Sequence, residues 1–237
     1  MQVTKMLRLI GVAGLSLCAA SIFAIEKTDL PSPFLAKYDA YRHDNNVGSA
    51  ELSLKATSKD LYELKYSSKV SRFFLSDKRY ETTLFSFADG LITPVSYAFK
   101  RKGTGPNKSL NATFDNDSKT IIIKDKENLE WNGELDNQLF RIDISRQLAQ
   151  GKNQFTYKFL NYRGQKRNYQ IEVVGKETLQ LPYGVVEAVK VKVNRESKKR
   201  QTFAWYAPSL DFVLVRLQQF KEGEEQGDIR LKTYQEL

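Results

Sequence analysis

The sequence predicts a mostly β, β-rich α+β fold: a curved antiparallel sheet or open barrel wrapped around one central helix. Three observations carry this. Apolar and polar residues alternate at period two over most of the chain. Turn chemistry recurs at short, regular intervals. One mid-chain segment breaks the alternation and repeats apolar residues every four positions.

The alternation is cleanest in three places. Ala50, Leu52, Leu54 and Ala56 face one way, with Ser49, Glu51, Ser53 and Lys55 facing the other. Tyr62, Leu64, Tyr66 and Val70 alternate with Glu63, Lys65, Ser67 and Lys69, and Val189, Val191 and Val193 with Lys190, Lys192 and Asn194. These are half-buried antiparallel strands with one wet face. Further strands are expected at Lys37–His43, Glu81–Phe87, Ser96–Lys100, Leu110–Phe114, Thr120–Asp125, Gln154–Tyr162, Tyr169–Gly175, Thr202–Tyr206, Phe212–Phe220 and Ile229–Tyr234. Asp44-Asn45-Asn46, Ala88-Asp89-Gly90, Gly103-Thr104-Gly105-Pro106, Asp115-Asn116-Asp117 and Arg163-Gly164-Gln165 separate them as turns.

The exception is Asp136–Gln150, where Phe140, Ile144 and Leu148 share one helical face. The spacing predicts an amphipathic helix of about four turns, with Asp136 capping its start and Gly151 closing its end. It falls between two groups of strands, so the economical arrangement buries its apolar face inside the curled sheet.

The N-terminus reads as a targeting segment. Lys5 and Arg8 precede an uncharged stretch from Leu9 to Phe23, which ends in Ser21-Ile22-Phe23-Ala24. That is the plan of a cleavable secretory signal over residues 1–24, leaving 25–237 as a single β-rich domain in the periplasm. The apolar run is about 15 residues, short of the roughly 20 that a spanning helix needs. Leu15-Ser16-Leu17-Cys18 has the outline of a lipoprotein cleavage box, but bulky Leu17 stands where a small residue belongs. Without Cys18 the exported chain carries no cysteine, hence no disulfide, thiol nucleophile or thiolate metal site.

The formal charge is +9, and +7 without Lys5 and Arg8. A basic surface attracts anions such as phospholipid headgroups, lipopolysaccharide or acidic glycans; a secreted compartment argues against nucleic acid. The densest charge run, Arg195-Glu196-Ser197-Lys198-Lys199-Arg200, reads as a solvated hairpin tip.

Catalytic constellations are scarce. His43 is the single histidine and sits at a strand end beside Asp44; with no nucleophile elbow it makes no triad. One histidine and no exported cysteine exclude the common zinc sites. Asp115-Asn116-Asp117-Ser118 begins like a calcium loop but lacks the downstream glycine and bidentate glutamate. Glu127, Glu130 and Glu134 lie near Trp131, a group that would suit a sugar site but reads as a polar loop around one anchored indole. No cofactor or metal is expected.

The aromatics have a binding flavour. Phe85, Phe87, Tyr97, Phe99, Tyr157, Phe159 and Trp205 are the candidate ligand-contacting residues, lining an apolar cavity if the sheet curls without closing. Ordinary packing against the helix is the competing reading.

The order of these pieces resembles the bacterial envelope family catalogued as domain of unknown function 3108. The resemblance runs through Tyr38-Asp39-Ala40-Tyr41, Val47-Gly48-Ser49-Ala50 and Phe87-Ala88-Asp89-Gly90-Leu91-Ile92-Thr93-Pro94, then the helix starting at Asp136. It continues through Val174–Leu179 and Pro182–Val191, and is sharpest at Trp205-Tyr206-Ala207-Pro208 before the Phe212–Arg216 strand. Family members often carry a proline in that strand, where this chain has Leu214 or a neighbour. The resemblance implies a secreted β-rich protein of unassigned activity. A curled sheet over a helix is also similar to the periplasmic lipoprotein-carrier fold, which implies an open barrel with a greasy interior.

The expected function is non-enzymatic binding of an apolar or amphipathic, lipid-like ligand in the concave face. The alternatives are an adaptor docking on another envelope protein and, more remotely, a glycan-active enzyme using paired carboxylates. The expected partners are a lipid or lipoprotein ligand, an envelope protein and peripheral contact with a membrane.

Overall fold

The computed structural model describes residues 30–72, 74–195 and 199–237. The signal segment 1–24 with Cys18, and residues 196–198 of the basic tip, lie outside the described residues. In chain order the strands are β1 (Phe34–Arg42), β2 (Asn45–Ser58), β3 (Leu61–Arg72), β4 (Leu75–Ala88), β5 (Leu91–Gly103), β6 (Lys108–Asp115), β7 (Thr120–Ile123), β8 (Leu129–Glu130), β9 (Leu135–Asp136), β10 (Gln154–Leu160), β11 (Lys166–Leu181), β12 (Gly184–Asn194), β13 (Arg200–Ala207), β14 (Val213–Lys221) and β15 (Glu224–Glu236). Helix α1 (Leu139–Ala149) lies between β9 and β10, and a 3-10 turn (Pro208–Leu210) between β13 and β14.

All of them join one sheet, in the order β8 to β1, then β15 to β9. The first and last strands therefore pair at its centre, and the mid-chain segment forms both edges. Neighbours are antiparallel except β9 and β10, which run parallel because α1 carries the chain back between them. The sheet curls until its two arms meet: Leu160 of β10 packs with Tyr97, Phe99, Leu110 and Ile123 of β5–β7. β8 and β9 remain unpaired with each other, so the barrel is open.

The helix fills the barrel. Leu139 and Ile142 enter one apolar cluster with Phe34, Tyr38, Leu54, Leu64 and Phe85. Phe140, Ile144 and Leu148 enter a second with Tyr157, Phe159, Val191 and Tyr206. The sequence predicts one buried face; sheet on several sides instead buries Asp143 and Ser145 as well. The helix also starts three residues later than expected. Asp136 ends β9, yet its Oδ1 still accepts the N–H groups of Gln138 and Leu139 at 2.8 and 2.9 Å, so its capping role survives the shift. Gly151 closes the other end at φ +74°.

Several strands outrun their sequence pattern, β11 and β12 among them. β11 extends to Leu181 because a bulge between Val173 and Gly175 shifts its register. Pairing of β12 with β13 covers Val189–Val193. The far half of the β11–β12 hairpin instead reaches β15, where Tyr183 N–H bonds Leu231 O at 3.0 Å. Leu179, Val186 and Ala188 thereby join the core beside Trp205 and Leu231. β14 lies between β13 and β15 rather than at an edge, a place where proline would cost a ladder hydrogen bond and Leu214 does not.

Gly48 has φ +153°, and a Cβ built on it would stand 2.0 Å from the Lys69 carbonyl oxygen. Gly48→Ala is expected to lower stability by about 2–4 kcal/mol. An unchanged urea midpoint would contradict the close β2–β3 approach.

Candidate binding cleft

Six of the seven aromatics expected to contact ligand are packed into walls. Phe85 stacks on Tyr62 at 5.6 Å, with Phe87 half-buried in the same cluster. Tyr97 and Phe99 sit in the seam where the sheet's arms meet. Phe159 packs 4.6 Å from Phe140. Trp205 is covered by the β11–β12 hairpin, its Nε1 donating to Glu177 Oε2 at 2.8 Å. None of the six lines either the space inside the barrel or the cleft beside α1.

The concave interior is filled. The space left between Tyr38, Tyr66, Gln138, Arg141, Ser145 and Tyr206 is about 20 Å³, room for roughly one water. The greasy hollow implied by the carrier-like fold is thus occupied by α1 and the rings around it.

Open space lies to one side of the helix instead. A cleft of about 420 Å³ is bounded by Leu91 and Ile92, by Asn132, Gly133 and Leu135, by Asp143 and Arg146 of α1, and by Thr156, Tyr157 and Lys158 of β10. That size falls in the roughly 300–1,000 Å³ range of small-ligand sites. The Asp89-Gly90 turn, both residues at positive φ, starts β5 so that Leu91 stands 68% exposed at the cleft.

The polar side of the cleft is a closed set. Asp143 accepts from Tyr157 OH at 2.8 Å and Gln147 Nε2 at 3.0 Å, and pairs with Arg146 Nε at 2.8 Å. Burial, then the Asp143 charge, hold the Tyr157 hydroxyl well above the ordinary tyrosine range. Lys158 is exposed, with no ion pair among the described residues. The cleft therefore offers an apolar wall, a largely neutralised Asp143–Arg146 pair and one free ammonium. It suits an anion with an apolar tail and holds no nucleophile–base pair.

The buried acids lie elsewhere. Glu81 Oε2 accepts from Tyr97 OH and from Asn137 Nδ2 at 2.8 Å. Asp136 is pushed up to about 7 by burial, with the Glu81 charge adding to it and its two backbone N–H bonds opposing. Asp136 Oδ2 and Thr83 Oγ1 are both buried, with the Thr83 hydroxyl also opposing the upward shift of Asp136 but not in good hydrogen-bond geometry to it. Glu81 and Asp136 border neither the cleft nor the interior space. At the other acidic group Trp131 is buried, its Nε1 donating to Glu134 O at 2.9 Å, and Glu134 pairs with Lys166 at 2.8 Å. Glu127 and Glu130 are exposed, and the group anchors its loop.

Asp115 Oδ1 accepts the N–H groups of Asp117 and Ser118, which makes that segment a hairpin turn. His43 is exposed in the β1–β2 turn. Among the described residues no three His, Cys, Asp or Glu side chains are placed to hold a metal.

A family model described as protein of unknown function, DUF3108, matches residues 37–229. The chain belongs to the DUF3108 family. No curated protein is significantly similar to it in sequence. In structure, this DUF3108 chain is similar to a β-barrel-like protein of domain of unknown function DUF1849 from Brucella abortus. The TM-score is 0.61 at 10% identity, over 86% of this chain and 98% of that one. The likeness is one of fold, an open barrel-like sheet. Two weaker matches have TM-scores of 0.35: a Bacteroides fragilis protein provisionally described as exported, with a YmcC-like fold, and a Parabacteroides distasonis protein provisionally described as a lipoprotein. The first is 12% identical over 87% of this chain and 99% of that one, the second 13% over 87% and 100%. No helix among the described residues is long and apolar enough to cross a membrane.

Of the residues that line the cleft, the sequence did not single out Leu91, Ile92, Leu135, Arg146 and Lys158. One signal stood in the chain: Leu91-Ile92 directly follows an Asp-Gly turn, where two adjacent apolar residues cannot share one strand face.

Proposed function

We propose that this DUF3108 protein is a non-enzymatic component of the bacterial envelope. Its N-terminal signal is removed on export, residues 25–237 act as one domain in the periplasm, and the cleft beside α1 holds an amphipathic, lipid-like ligand. The observation that carries the reading is the cleft: Leu91, Ile92 and Leu135 line its space, and exposed Lys158, without an ion pair among the described residues, lines it too. A fatty acyl chain or the acyl end of a lipoprotein would lie against the apolar wall, with an anionic group at Lys158. Such a ligand belongs in the cleft rather than the concave face, because α1 fills that face. Native mass spectrometry of the protein purified gently from its own periplasm, followed by organic extraction, tests this. A copurifying lipid-like mass is expected; a bare polypeptide from every preparation would overturn it.

A second reading rests on Tyr183 and Val185 at the β11–β12 tip, both exposed. They would suit an adaptor that docks on another envelope protein. A bare polypeptide together with a specific crosslink at Val185 in cells would favour it.

A further inference from the structure

We propose that the end of the barrel bearing the β3–β4 turn docks on an anionic phospholipid surface. The observation is a row of exposed lysines without ion pairs among the described residues, beside an exposed apolar tip. Lys69, Lys78 and Lys102 stand directly opposite one another on β3, β4 and β5. Their side chains point to the face opposite Glu81 and Phe99, and all three are exposed. Lys100, two residues back on β5, extends the row. Among the described residues none of these four ammonium groups has an ion pair or hydrogen bond. The outward positions on β3, β4 and β5 around them are serines and Tyr80, and the nearest carboxylate in register is Glu51 of β2, diagonal to Lys69, so the row of four keeps a net positive charge. Like charges placed opposite each other across strands cost stability. The row is thus a feature the fold tolerates rather than one it uses.

At the end of the same strands Phe74 is 98% exposed and Leu75 is 62% exposed. Their backbone is braced. Thr104 of the β5–β6 loop donates from Oγ1 to Phe74 O at 3.3 Å and accepts from Ser76 N–H at 3.0 Å. Thr104 N–H bonds Ser76 O at 2.9 Å. Gly103 makes this approach possible, since a Cβ there would stand 2.0 Å from Ser76 O. The loop fixes the backbone that carries a large ring, and nothing among the described residues covers that ring.

An apolar tip flanked by ammonium groups matches the layering of a bilayer surface. The ring and Leu75 enter the acyl boundary while the lysines meet phosphate groups. The single sign of the row selects an anionic surface over a neutral one. The docking end is remote from the Asp89-Gly90 turn, because β4 and β5 run the length of the barrel between them. Membrane docking and the cleft therefore stand or fall separately.

The test is cosedimentation of the exported, purified protein with phosphatidylcholine vesicles, with and without phosphatidylglycerol, at low and high salt. Binding is expected with phosphatidylglycerol alone and is lost at high salt. Each of Lys69→Gln, Lys78→Gln and Lys102→Gln should weaken it about fivefold, and Phe74→Ser about tenfold. Lys78→Gln should also raise the thermal midpoint slightly by relieving repulsion, which shows that weaker binding is not unfolding. Absence of vesicle binding, equal binding to neutral vesicles, or binding unchanged in the lysine and Phe74 variants would overturn the proposal.

Discussion

Phe159→Ala is expected to lower stability by about 3–5 kcal/mol, which makes it one of the most damaging single changes in the chain. The Phe159 ring is almost fully enclosed, 4.6 Å from Phe140 and 4.7 Å from Tyr169. Those contacts bind α1 to β10 and β11, and the surrounding rings hang on rigid strands that cannot close over a hole. Urea unfolding should show a lower midpoint at unchanged slope. The same change should leave the ligand proposed for the cleft in place, because Phe159 does not line the cleft. A near-neutral effect on stability with loss of a bound ligand would return Phe159 to the ligand-contacting role that its sequence pattern suggested.

The second large effect is a pH dependence set by Asp136. Burial raises its folded pKa from the ordinary carboxylate range to about 7. Between about pH 4 and pH 7 the folded protein therefore keeps a proton that the unfolded chain has released. Stability must fall as pH rises through that window, by about 4 kcal/mol in all, and be level in this respect above it. Asp136→Asn keeps an oxygen for the Gln138 and Leu139 N–H groups but cannot ionise. The variant should lack this downward slope and be more stable than the parent at pH 8. Parallel curves for the two proteins between pH 4 and pH 7 would show that Asp136 titrates normally in the fold.

Much of the architecture is legible in the chain because a half-buried strand must alternate. Leu52 and Leu54, or Val189, Val191 and Val193, can be assigned to the core from spacing alone, and the structure buries them. The limits of this reading are equally physical. β4 begins at Leu75, well before the expected Glu81, because Asp77 and Arg79 occupy inward positions and erase the polarity contrast. β11 outruns Gly175 because the bulge there changes the phase of the alternation. β8 and β9 have two residues each, too few to show any period. For the helix, the Phe140, Ile144 and Leu148 spacing gave type and place, but one face was expected where the curled sheet covers several.

The site was less legible, for a different reason. Leu91, Leu135, Arg146 and Lys158 come from a hairpin, an edge strand, the helix and β10, and nothing local ties them together. Aromatic strands announce buried area without saying whether that area meets a ligand or another ring. Here Phe85, Phe99 and Phe159 meet other rings or aliphatic side chains. The lysine row was hidden too, since Lys69, Lys78 and Lys102 become neighbours only through strand register.

The central claim is that ligand occupies the cleft beside α1 and not the barrel interior. Thr156→Trp places a large ring in the cleft from an exposed position, and Ser145→Val fills the small interior space from the buried face of α1. Native mass spectrometry of the two variants and the parent, purified identically from the periplasm, decides between the sites. The account predicts that Thr156→Trp loses the copurifying lipid-like mass while Ser145→Val keeps it. Loss from Ser145→Val with retention in Thr156→Trp would contradict it.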